Sequence, residues 1–224
     1  MVGTVLELLN KKDLELALEL IPGFPNPRED LEQYLTPSDI AADILWHAYM
    51  HKDIRGKLII DLGCGTGKLL FGALMLGARY GLCIDVDYSA LQLGRDTMLT
   101  YVNTPFDVVA TDLRRGNPPI APEEITYTER KVDCTVIMNP PFGVKSRKAD
   151  FDFIRIAMKI CDTIYSLHKN IPKSLKILGK ICEEQNYRFF IVNKYRFPIS
   201  WFLPKHREKK HIVNVVLVRL KRIL

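Results

Sequence analysis

Residues 139–143 read Asn-Pro-Pro-Phe-Gly directly after the apolar run Val136-Ile-Met138, and these residue types suit one kind of chemistry. Two successive prolines fix φ and remove two N–H donors, so the local surface offers acceptors, the Asn139 side-chain oxygen and the Pro140 carbonyl. Acceptors alone select a planar NH₂ group. Drawing its two hydrogens toward Asn139 and Pro140 helps localise a lone pair otherwise spread into an amide or an aromatic ring. The nitrogen is then ready for in-line attack on an activated methyl carbon. Pro141 stiffens the same turn, and Phe142 offers an aromatic face for a base taken out of its helix. By itself Asn-Pro-Pro could be only a rigid turn, the less favoured of the two readings; what precedes it in the chain weighs further against that.

The second constellation is Asp61-Leu-Gly63-Cys-Gly65-Thr-Gly67, between an apolar run and a helical pattern. Alternate glycines there allow close approach of a ligand to backbone. A nicotinamide fingerprint would need glycine where Lys68 stands, and a phosphate-binding loop would need Ser or Thr where Leu69 stands. Neither nucleotide motif is met. The next apolar run ends on Asp85, spaced to accept both hydroxyls of a ribose, and Asp112 closes the third run, able to accept from an adenine amino group. Asp61 falls near the place of a methionine ammonium. An adenosyl cofactor without phosphates fits this order, with S-adenosylmethionine as methyl donor and S-adenosylhomocysteine as product. Any one acid could merely cap a helix; three in order behind a glycine loop are harder to explain that way.

These residues need a scaffold, and the pattern predicts one. Strands are expected at Leu58–Asp61, Gly81–Asp85, Asp107–Ala110, Val132–Met138 and Thr163–Leu167, alternating with helices at Lys68–Leu76, Ser89–Leu99, from about Phe151, and Ser174–Glu184. Two further β-rich segments, Phe189–Lys194 and Ile212–Leu220, suit an antiparallel pair at the end of the sheet. The expected fold is therefore α/β: a doubly wound, seven-stranded, mostly parallel sheet with terminal antiparallel strands. Before it, Thr36-Pro37-Ser38 supplies helix-start chemistry for a helix to about Met50, with Ile40, Ala41, Ile44, Leu45 and Ala48 on one face. Residues 1–35, with a helix at Asp13–Leu20 and the turn Pro22–Pro27, form an N-terminal extension to a domain spanning 36–224.

Composition narrows the classes. The 224 residues are 47% hydrophobic and 26% charged, which is ordinary for one globular domain. No apolar run is long enough to span a membrane and no signal-peptide core opens the chain, so a cytoplasmic location is expected. Five cysteines without a Cys-x-x-Cys pair read as reduced thiols, and no metal site is expected. A net charge of +6 favours an anionic polymer as partner. Lys145-Ser-Arg147-Lys148 could flank an RNA path as readily as form a solvated loop, and Lys205–His211 favours the RNA path because Trp201 and Phe202 adjoin it.

Over roughly Leu31–Leu220 the chain resembles the small Asn-Pro-Pro-Phe adenine-N6 methyltransferases that modify small-subunit ribosomal RNA in archaea and eukaryotes, which are class I, Rossmann-like S-adenosylmethionine-dependent enzymes. The marks are Glu32-Gln-Tyr-Leu-Thr36, Asp61-Leu-Gly-Cys-Gly65, Met75-Leu-Gly77, Asp85-Val-Asp87, Val136–Gly143, Tyr165-Ser-Leu-His168 and the basic segment around His206. The resemblance implies that Gln33, Thr36, Gly63, Thr66, Lys68, Asp85, Asp112 and Leu113 line the cofactor pocket and that Asn139 to Phe142 hold the adenine. Lys68 stands where the family usually carries an apolar residue. The resemblance also implies a small zinc-binding activator protein paired along a sheet edge. Two other functions use similar parts: methylation of a glutamine amide in a translation release factor, against which Phe142 in place of Tyr weighs, and a non-catalytic, cofactor-binding RNA or assembly factor, against which intact Asp85 and Asn139 weigh.

Overall fold

The computed structural model describes residues 10–113, 133–143, 149–200 and 210–223. Its strands are β1 (Leu58–Leu62), β2 (Tyr80–Asp85), β3 (Phe106–Ala110), β4 (Cys134–Met138), β5 (Thr163–Lys169), β6 (Tyr187–Ser200) and β7 (Lys210–Arg222), in one sheet of order β3-β2-β1-β4-β5-β7-β6. The first five run parallel; β7 is antiparallel to β5 and β6 antiparallel to β7. This is the expected doubly wound sheet with its terminal antiparallel pair. The helices are α1 (Lys11–Leu18), α2 (Ser38–Met50), α3 (Lys68–Met75), α4 (Tyr88–Tyr101), α5 (Ala149–Ile160) and α6 (Pro172–Glu184).

The central strands are apolar on both faces because both faces are covered. Along β1, Ile59 points into a cluster with Leu45, Leu70 and Met98 of α2, α3 and α4. Ile60 and Leu62 point the other way, toward Ile154 and Ala157 of α5 and Leu178 of α6. Along β4 the alternation repeats, with Ile137 on the first face and Val136 and Met138 on the second. This two-residue period turns two strand sequences into one layer between two helical layers. Helix α1 is part of the first layer, since Leu14 and Leu18 are fully buried, and a Cβ on Gly72 of α3 would meet Leu45, Leu18 and Leu14 within 3.3 Å.

The chain runs outward from β1 in both directions, to β2 on one side and β4 on the other, so a crevice opens at their carboxyl ends, where open α/β sheets hold ligands. Two local differences from expectation follow from tertiary contacts. Pro37 is the N-cap of α2 and no side chain caps the helix; the Thr36 and Ser38 hydroxyls are engaged elsewhere, as described below. Cys134 and Cys161 form a disulfide with their Cα atoms 5.5 Å apart, whereas all five cysteines were expected reduced. The residues that follow α5 pass beside the first residue of β4, a proximity across 27 positions that spacing in sequence does not reveal. No helix among the described residues is long and apolar enough to cross a membrane. The Arg114–Pro119, Lys145–Lys148 and Lys205–Lys209 segments, with Trp201 and Phe202, lie outside the described residues.

Candidate active site

Asp61 is the penultimate residue of β1 and is only 1% exposed. Its Oδ2 accepts the Leu70 amide at 3.2 Å, while Oδ1 is buried with no partner in the protein. Burial pushes its carboxyl up to about 8, with Asp85 adding to the shift and the Leu70 amide opposing it. The chain then turns sharply. Gly63 at φ 71° and Gly65 at φ 55° occupy the left-handed region, and added Cβ atoms would meet the Phe153 ring at 3.0 Å and the Phe24 ring at 2.5 Å. Only glycine satisfies both demands. The loop is fixed to β2 by the Gly63 amide donating to the Ile84 carbonyl at 2.8 Å and the Gly65 amide donating to Asp85 Oδ2 at 2.8 Å. Asp85 Oδ1 accepts the Asp87 amide at 2.9 Å. Burial raises the Asp85 carboxyl and these donated amides counter it.

Asn139 follows β4. Its Nδ2 donates to Thr36 Oγ1 at 3.1 Å, which fixes the amide so that Oδ1 is the free end. That oxygen is buried and unpartnered. A buried acceptor without a donor costs about 1–3 kcal/mol, so its persistence marks a place that a ligand's donor completes. The Thr36 hydroxyl is therefore spent on orienting Asn139 and not on capping α2.

A crevice of about 710 Å³, its open mouth included, joins these parts. Gln33, Gly63, Asp85, Asp112, Leu113, Asn139 and Pro141 line it. A smaller cavity shares Gly63 and Asn139 with it and adds Thr36, Asp61 and Lys68. Gln33 is held from both ends: its Oε1 accepts the Arg28 amide at 2.7 Å and its Nε2 donates to Asp87 Oδ2 at 2.8 Å. Four sequence-named residues lie outside both cavities. Gly65 sits beneath Phe24, Thr66 is buried with its Oγ1 donating to the Pro22 carbonyl at 2.7 Å, and Pro140 is buried. Phe142 is 6% exposed, packed edge-to-face on Phe197 with centroids 5.5 Å apart. Its ring was expected to offer a stacking face and here belongs to the core. The turn's backbone carries its side chain back under the sheet, where β6 supplies an apolar partner.

The larger crevice also has walls to which the sequence assigned no role: Phe24, Tyr34, Val86 and Phe153 of α5, the last behind Gly63. The signal for Phe24 was an aromatic residue inside the turn Pro22–Pro27, since a large apolar side chain in a rigid turn must find a surface to cover. His168, buried at the end of β5, contacts Ser166 Oγ at 3.0 Å and Asp150 Oδ2 at 3.4 Å, and lines neither cavity.

Residues 36–162 match the family model for the methyltransferase small domain. The chain is 32% identical to an uncharacterized protein of Methanocaldococcus jannaschii over 96% of each chain. It is also 32% identical to an rRNA N(6)-adenosine-methyltransferase of Drosophila melanogaster, over 92% of this chain and 94% of that one. Among solved structures, a candidate RNA methyltransferase from Pyrococcus horikoshii superposes with a TM-score of 0.80 at 34% identity, covering 96% of this chain and all of that one.

Proposed function

The chain belongs to the methyltransferase small domain family, and from that premise we propose that it transfers a methyl group from S-adenosylmethionine to the exocyclic N6 of an adenine in RNA, with small-subunit ribosomal RNA as the substrate class. The observation that carries this reading is the buried Asn139 Oδ1, oriented by Thr36 and lacking a donor, in a chain similar over 92% of its length to a named rRNA N(6)-adenosine-methyltransferase.

The residues present fit the cofactor. The unpartnered Asp61 Oδ1 suits an ammonium group, Gly63 of the glycine loop borders both cavities, and Asp85 and Asp112 stand along the crevice where ribose hydroxyls and an adenine amine would need acceptors. When bound, S-adenosylmethionine supplies an electrophilic methyl on a sulfonium centre. Asn139 Oδ1 and the Pro140 carbonyl accept the two hydrogens of the incoming amine, holding its plane and turning its lone pair toward that methyl. No residue needs to remove a proton before attack, and the described residues that line the two cavities include no histidine. Pro141, in the crevice wall, limits how the target ring can lie. Phe142 supports the turn from beneath through Phe197.

Asn139→Ala is expected to lower single-turnover transfer to RNA by a hundredfold or more, on the scale of losing one positioning hydrogen bond at a reacting centre. S-adenosylhomocysteine affinity, measured by calorimetry, is expected to stay within about twofold. Equal loss of both would assign Asn139 to the cofactor and remove it from the amine.

A small zinc-binding activator, paired along a sheet edge, belongs to the same reading, as does a cytoplasmic location where ribosomal RNA is met. The two edges differ. Strand β6 is guarded by Arg188, Lys194 and Arg196 and by an irregularity at Ile191/Asn193. Strand β3 is five residues long with half-buried Phe106, Val108 and Val109, beside α4 with Tyr88, Leu99 and Tyr101 exposed. Among the described residues β3 is the less guarded edge, although Phe190 and Ile191 are exposed on β6. The chain purified alone is expected to self-associate and become monodisperse with its activator in light scattering; a monodisperse, fully active lone chain would contradict this.

A further inference from the structure

Lys68 opens α3 directly behind the glycine loop, yet its side chain is not on the surface. It is 5% exposed and lines the small cavity with Thr36, Asp61, Cys64 and Asn139. Its Nζ donates to Ser38 Oγ at 2.9 Å, a neutral acceptor, and no carboxylate of the described residues forms an ion pair with it. Glu19 and Asp39 act on it only through the field, and burial drives its ammonium below the usual lysine range. A buried cation with one hydroxyl partner is costly unless an anion joins it.

The same cavity holds a second unmet group. Asp61 Oδ1 is buried without a partner, and Asp61 and Lys68 do not pair with each other. One wall thus lacks a cation and another lacks an anion. A helix start adds to the second deficit, because α2 begins at Ser38 with no side chain on its first amides. The ligand complementary to both walls is a zwitterion, an ammonium and a carboxylate on one carbon.

We propose that Lys68 receives the α-carboxylate of the cofactor's methionine tail, opposite the ammonium at Asp61, and that this pairing makes the site select the intact amino-acid tail over a decarboxylated one. The proposal rests on the S-adenosylmethionine reading above. Ser38 is then a positioning residue that keeps Nζ aimed into the cavity through the hydrogen bond it accepts.

The test removes the carboxylate from the ligand and the charge from the protein independently. Binding of S-adenosylmethionine and decarboxylated S-adenosylmethionine is measured by titration calorimetry for the wild type, Lys68→Met and Lys68→Gln. The second variant keeps a polar group should the first fail to fold. The wild type is expected to prefer the carboxylated ligand by tenfold or more, and each folded variant by less than threefold, the loss falling on the carboxylated ligand alone. A variant that retains the wild-type preference would overturn the role of Lys68, as would equal weakening of both ligands, which would make Lys68 a wall and not a receptor. A wild type that binds neither ligand would overturn the cofactor reading itself, and the proposal with it.

Discussion

Asp61 is where the residue scale speaks most clearly, because its carboxyl is pushed up to about 8 by burial while its ordinary value is near 4. Between those values the native state holds a proton that the unfolded chain has released, so this group lowers the stability of the empty protein as pH rises through that window. A bound ammonium needs the carboxylate. Binding of S-adenosylhomocysteine near pH 7 is therefore expected to release a proton, and affinity to rise from pH 6 to 8 and then level. Calorimetry in buffers of different ionisation enthalpy reads the proton count, and Asp61→Asn should flatten the pH dependence. A flat profile in the wild type would take Asp61 away from the ammonium. At this scale the sequence was legible wherever a motif also fixes backbone: Gly63, Asp85 and Asn139 all stand at the crevice. Legibility failed where a side chain's direction depends on a distant partner. Nothing near Phe142 in sequence reveals that its ring turns toward Phe197, and nothing near Thr36 reveals a bond to Asn139 across 103 positions.

Among elements, a four-strand joint lies at the opposite end of the sheet from the crevice. Asp53, 3% exposed and just before β1, accepts from the Tyr165 hydroxyl of β5 at 2.7 Å and from Arg219 Nε and Nη2 of β7 at 3.0 and 2.9 Å. Its carbonyl accepts the Thr135 hydroxyl of β4 at 2.7 Å. One residue thus ties β4, β5 and β7 to the start of β1. Asp53→Ala leaves a partly buried guanidinium and a buried phenol without their acceptor, and is expected to cost about 3 kcal/mol in urea unfolding, the lower end for a broken buried pair because Arg219 keeps some contact with water. A change below about 0.5 kcal/mol would mean that the joint is replaceable. The elements themselves were readable from period and turn signals, since β1, β2 and α3 differ from expectation by one residue at one end, although β6 runs six residues past its expected end, to Ser200. The order in which β7 inserts between β5 and β6 was not, because an antiparallel hairpin can add to a sheet edge by either strand and only the packing of Val216 and Val218 against α5 and α6 selects β7. The Cys134–Cys161 link belongs to the same class of feature, a contact made by topology and invisible in spacing.

For the whole molecule, the reversal of strand order between β1 and β4 does the organising. It sets Asp61 and the glycine loop beside Asn139, so that the residues that fit a methyl donor and those that fit an acceptor amine share one wall. The layer of α1 to α4 closes one side and that of α5 and α6 the other. A net charge of +6 gives the protein the sign that RNA requires without naming a sequence. The central claim is that the amine held by Asn139 is an adenine N6 in RNA. Its most direct test is to incubate the protein with methyl-labelled S-adenosylmethionine and a mixture of ribosomal RNA and total protein, then digest each fraction and identify the labelled product by mass spectrometry. The account predicts label in RNA as N6-methyladenosine, and label confined to protein glutamine would contradict it.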